Sequence, residues 1–174
     1  MTQVMQPQTA PERASSVAIP LPSVRLYMVW GSVKIRSLVR YHHNLLRLSG
    51  GEEFFPCEEE AFEAVTRKTA DYFVEILSKG KFSPASHGFA SVAVHRLYRD
   101  FDESKREIWL EMYKKAIKEM HMPSECIEDF WNWIEPLSVL MLKRNSQRQI
   151  RRYPYTSVWT DFVEFTQRHR CDRF

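Results

Sequence analysis

The chain has 174 residues, 44% of them apolar and 13% aromatic, enough to bury a core and too much for a disordered polymer. Five glycines disfavour a turn-dense all-β fold, and a net charge of +3 gives no global drive toward nucleic acid. Cys57, Cys126 and Cys171 are odd in number and scattered without a CxxC pair, which suits a reducing compartment better than a disulfide scaffold.

Residues 1–23, MTQVMQPQTAPERASSVAIPLPS, are rich in Pro, Ser, Gln and Thr and read as a flexible arm. They lack the basic start and apolar run of a signal peptide, and no later stretch is apolar enough to span a bilayer. A soluble cytoplasmic protein without a membrane partner is the expectation. From Val24 to Leu48 the pattern is helical with a break near Gly31, and Leu38, Tyr41, His42 and Leu45 share one stripe. SGGEEFFP then stops the helix, with Phe54-Phe55-Pro56 as an apolar corner.

CEEEAFEAVTRKTADYFVEILSKG predicts a second long helix, anionic in its first turn and closed by Lys79-Gly80. Phe62, Val65, Thr69, Tyr72, Phe73 and Ile76 mark its inward side. A Pro84–Gly88 loop leads to a short predicted helix, FASVAVHRLY. Asp102 is placed to cap the next helix, whose inward side carries Trp109, Met112, Tyr113, Ala116, Ile117 and Met120. Ser124 is the expected cap of another, with Ile127, Phe130, Ile134, Leu137 and Met141 inward and a kink at Pro136. The tail closes on an amphipathic segment, TSVWTDFVEFTQRH. No strands or repeats emerge, so the fold class is all-α.

His95 poses the chemical question. A lone histidine beside an apolar helix is ordinarily a core or surface residue with satisfied ring nitrogens. Here Val92 and Val94 flank it, and the helical stripes nearby are rich in aromatics. Such a setting suits a flat apolar cofactor whose iron takes an axial bond from neutral imidazole.

The segment HRLYRDFDESKREIWLEM resembles the proximal-histidine region of the truncated, two-over-two haemoglobins, in which a histidine precedes an Arg-x-x-Trp-Leu-x-x-Met signature. Arg106, Trp109, Leu110 and Met112 approximate that signature, with one residue more after His95 and Met112 one place early. LVRYHHNLL…FFP is similar to the family's distal helix and aromatic corner, and WIEPLSVLMLKRN to its last helix. The likeness covers residues 36–145, and the tryptophan makes it most similar to the second group of the family.

The resemblance implies a globin-like two-over-two helical sandwich with N- and C-terminal extensions. It divides the chain into an arm at 1–23, a haem domain at 24–145 and a basic extension at 146–174. It implies haem b, held without a covalent CxxCH link, with His95 as the proximal iron ligand and Phe55 packed on the porphyrin. Trp109, Tyr41 and His42 would meet a bound ligand, O2 or NO, with His42 also a candidate distal iron ligand. His42 stands where the family usually has tyrosine, and Tyr41 where it has phenylalanine. Val65, Thr69 and Tyr72 would line the distal side with Met112 in the pocket, and Lys68 would face a haem propionate. Lys79-Gly80 replaces the family's Gly-Gly.

Two readings of His42 stay open: off the iron beside an open sixth position, or on it in a six-coordinate site. Peroxidase-like or NO-consuming activity is compatible with the family, and no catalytic triad, phosphate loop or carboxylate pair points elsewhere. His43 is expected to face solvent or an interface, about 100° from His42 around the helix. Cys57 is expected as a small buried filler. A zinc site from His87 and His95 lacks ligands, and His121 and His169 show no partners.

The rival class is a haem-free α-helical interaction or sensor module. It would use KRNSQRQIRR and the terminal amphipathic segment as a partner surface or a homodimer contact. From Lys143 onward there are eight Lys/Arg and three Asp/Glu, but a charge run of this size is ordinarily solvated, so nucleic acid is not expected as a partner. The identity of any redox partner is left open.

Overall fold

The computed structural model describes residues 22–49, 54–79, 101–142 and 150–155. Four helices lie among them: α1 (Arg25–Leu48), α2 (Glu59–Lys79), α3 (Glu103–Glu119) and α4 (Ser124–Met141). Within α1, Gly31 has φ 75°, which interrupts the helix where the sequence placed a break. Nothing lies within 4 Å of a Cβ built there, so backbone conformation rather than space calls for glycine. The short helix expected over 89–98, the segment 156–169 and the boundaries at 23 and 145 involve residues outside those described.

Asp102 caps α3 as its sequence position requires, accepting the Lys105 N–H at 2.9 Å. The far end of α3 closes through His121, whose φ of 53° is left-handed, with the Met122 N–H reaching back to the Ile117 carbonyl at 3.0 Å. A side chain at such a position is strained where glycine is not. His121→Gly is therefore expected to raise stability by roughly 0.5–1 kcal/mol, seen as a higher urea midpoint with an unchanged slope.

Ser124 does not cap α4. Pro123 holds that place with φ −54°, its carbonyl accepting the Cys126 N–H at 2.8 Å, and Ser124 is the first helical residue. The helix persists through Pro136 to Met141.

α1 runs antiparallel to α2, because Arg36 pairs with Asp71, Arg40 with Glu63 at 2.9 Å and Arg47 with Glu59 at 2.9 Å, in opposite chain order. These exposed pairs contribute little each and serve mainly to set register. α3 and α4 form a second antiparallel pair, and α1 packs on both of its members. Between the pairs lies an aromatic core in which Phe73 meets Trp133 at 4.9 Å and Tyr113 at 6.3 Å.

The inward stripe of α2 differs from the expected one. Thr66, Ala70 and Leu77 are buried with Phe62, Tyr72, Phe73 and Ile76, while Val65 and Thr69 are half-buried. On α3, Met112 and Met120 are half-buried at the margin, and Arg106 and Leu110 are buried instead. Cys57 is exposed rather than buried, since it lies in the turn ahead of α2; Cys126 is the buried thiol.

Arg106 is the fold's least expected core residue, with no exposed surface. Its guanidinium donates to Glu103, Glu135 and Ser138, each at 2.7 Å, and to the Arg151 carbonyl at 2.6 Å. Trp131 Nε1 donates to the Tyr153 carbonyl at 2.7 Å, so residues 150–155 are fastened along the α3–α4 seam of their own chain. That seam uses part of the basic extension internally. No described helix is long and apolar enough to cross a membrane.

Candidate functional site

His42 and His43 stand side by side on α1, and both are buried. His43, expected to face solvent or an interface, is only 2% exposed because α2 packs against α1 on that side. Its Nδ1 lies 2.9 Å from the Thr66 hydroxyl, and its ring packs 4.8 Å from Phe55. Phe55 in turn meets Phe62 edge-on at 5.2 Å, so the apolar corner closes over the histidine.

His42 faces α3. It stacks on Tyr113 with ring centroids 3.5 Å apart and meets Trp109 edge-on at 5.3 Å. Its Nε2 lies 3.0 Å from the Trp109 carbonyl. A carbonyl only accepts, so that nitrogen carries the proton and donates. His42 Nδ1 and Trp109 Nε1 are both buried with no hydrogen-bond partner. An unpaired buried polar atom is costly, which makes two of them on touching rings a feature to be explained.

Burial holds His42 well below the ordinary histidine range, helped by the neighbouring His43 and opposed by the Trp109 carbonyl. Burial likewise brings His43 down to about 3. Both rings are neutral near pH 7. Tyr72, at the inner end of its stripe, is pushed up to about 12 by burial and the Glu75 charge.

The remaining expected site residues spread around this pair. Val65 and Thr69 form a half-buried edge of α2, with the Thr69 hydroxyl donating to the Val65 carbonyl at 3.0 Å. Lys68 is exposed and makes no ion pair among the described residues. Met112 is half-buried on α3. The Tyr41 hydroxyl donates to Glu119, tying α1 to the end of α3. His95, like His87, lies outside the described residues, and among those described no cluster of three or more His, Cys, Asp or Glu is set to hold a metal.

Sequence reasoning missed Thr66 and the role of His43. The available signal was the HH pair itself, because a helix packed on two sides buries neighbours that a single stripe would separate. A groove of about 430 Å³ between α4 and residues 152–155 shares no residue with this cluster.

The antiparallel helix pairs and the aromatic-lined cluster between α1, α2 and α3 define a globin-like protein. The solved structure of phosphate-bound Hell's gate globin IV matches the chain with a TM-score of 0.67 at 29% identity, over 88% of this chain and 99% of that one. No family model and no curated protein matches the chain. That structural match gives the chain a globin-like fold.

Proposed function

We propose that the chain binds haem b non-covalently, that His95 would hold its iron, and that a small diatomic molecule, O2 or NO, would be its ligand. The observation that carries this reading is the Trp109 Nε1–H: a donor on an aromatic wall, 2% exposed, with no acceptor among the described residues. Haem, when bound, supplies an iron with one position for the protein and one open to a small molecule. The chain's own residues fit such a guest. Phe55 and the half-buried Val65–Thr69 edge offer apolar contact, Lys68 is an exposed cation with no ion pair among the described residues and would suit a propionate, and Trp109 can donate only.

The hydrogen bond from His42 Nε2 to the Trp109 carbonyl favours His42 off the iron over the six-coordinate reading, since coordination through that nitrogen would break it. Ligand binding, detoxification and redox sensing all fall within this function, as does peroxidase-like or NO-consuming activity. The reading also takes the protein as cytoplasmic, with a redox partner of unassigned identity.

Titrating hemin into the purified full chain tests it. One equivalent is expected to bind with a sharp Soret band, and the ferric His42→Ala spectrum should match the parent's in spin state. A chain that takes up no hemin would instead support a haem-free interaction module.

A further inference from the structure

Six large apolar side chains are exposed among the described residues, and four of them, Val24, Met28, Val29 and Val33, fall at the start of α1. Met28 is 79% and Val33 74% exposed, so neither is there to fill the core. Val24 and Met28 stand one helical turn apart, the Met28 N–H donating to the Val24 carbonyl at 3.0 Å. Tyr27 and Trp30 in the same stretch are half-buried and packed against the core, which anchors it. Apolar residues scattered singly over a surface need no explanation; a cluster marks a binding surface.

Charge identifies the partner. α1 carries Arg25, Lys34, Arg36, Arg40 and Arg47 and not one Asp or Glu. Carboxylates of α2 meet Arg36, Arg40 and Arg47. Arg25 and Lys34, which adjoin Val24 and Val33, are exposed and make no ion pair among the described residues. A second copy docked through the same patch would set both cations against their own duplicates. It would also cover far less than the roughly 800 Å² per partner of a stable contact. The arm at 1–21 offers Glu12 beside Arg13, so it brings no net acid.

We infer that the start of α1 is a peripheral docking surface for an anionic lipid layer. Met28 and Val33 enter the boundary between headgroups and acyl chains, and Arg25 and Lys34 meet the headgroup phosphates. This is contact from one side, in keeping with described helices that are too short or polar to cross a bilayer. It does not depend on haem.

Flotation of the purified full chain tests it, with vesicles of phosphatidylcholine alone and of equimolar phosphatidylcholine and phosphatidylglycerol. Binding to the anionic vesicles only, weakened by salt, is the expected result. Met28→Ser with Val33→Ser should reduce it roughly tenfold, and Arg25→Gln with Lys34→Gln by a similar factor. Leu48→Ser, a change at an equally exposed position at the far end of α1, should leave it within about twofold. All these positions are exposed, so helical circular dichroism should match the parent.

Undiminished binding by the double serine variant overturns the inference, because the basic extension after Lys143 then suffices. Equal binding to both kinds of vesicle overturns the charge assignment. A parent chain that ignores both also overturns it, and self-association lost in the serine variant would then give the surface to a second copy.

Discussion

Replacing Arg106 with alanine is expected to destabilise the fold by about 3–5 kcal/mol, the range for removing one partner of a buried ion pair. The side chain has no exposed surface, and Glu135, only 5% exposed, would be left without its main counter-charge. Arg152 reaches Glu135 at 3.7 Å from an exposed position and compensates little. The same change frees the Arg151 carbonyl, so residues 150–155 should become readily cleaved by protease. Urea unfolding measures the first effect and limited proteolysis the second. The double replacement Arg106→Met with Glu135→Gln should recover much of the loss, because it removes both charges instead of stranding one. A loss below about 1 kcal/mol in Arg106→Ala would show that the network is not what fastens the seam.

Acid should unfold the protein through its paired histidines. Their pKa values in the fold lie below the ordinary 6.5, His43 at about 3 and His42 well depressed. The unfolded chain therefore binds protons that the folded chain does not. Stability from this source is complete above about pH 6.5 and falls as pH drops toward 3. Each histidine contributes a slope of roughly 1.4 kcal/mol per pH unit in that window. Between about pH 5 and 6.5 exposed carboxylates stay ionised, so unfolding there should show nearly twice the slope of one histidine. His43→Gln keeps a polar group for Thr66 and cannot titrate; it should reduce the slope by about half. An unchanged slope in that variant would mean the ring is already charged in the fold.

The elements were largely legible in the sequence because their signals are local. Asp102 as a cap, Glu59 and Glu60 in a first turn, Lys79 in a last turn and Gly31 as a break each depend on a few neighbouring residues. Ser124 misled, since a good capping residue follows a proline that already sets the backbone.

Polar burial was the main failure. Periodicity marks apolar stripes, so it passed over Arg106, whose partners apart from Glu103 come from α4 and residue 151, more than 25 positions away. It also passed over His43, whose burial depends on where α2 crosses α1. The same limit explains the one-residue rotation on α2: Val65 and Thr69 fit the period, but the neighbouring helix covers Thr66 and Ala70. Trp109 and His42 were legible as candidates through family resemblance. Their mutual contact and the proton on His42 Nε2 required coordinates.

Hemin binding by His95→Ala, read beside the parent protein in both oxidation states, bears most directly on the proposed axial ligand. The variant should fold, as helical circular dichroism will show, yet lose most hemin uptake or show an axial field altered from that of the parent. External imidazole should restore the parent spectrum. If instead the alanine protein carries a full complement of pigment with identical bands, the iron is held elsewhere and His95 is not its ligand.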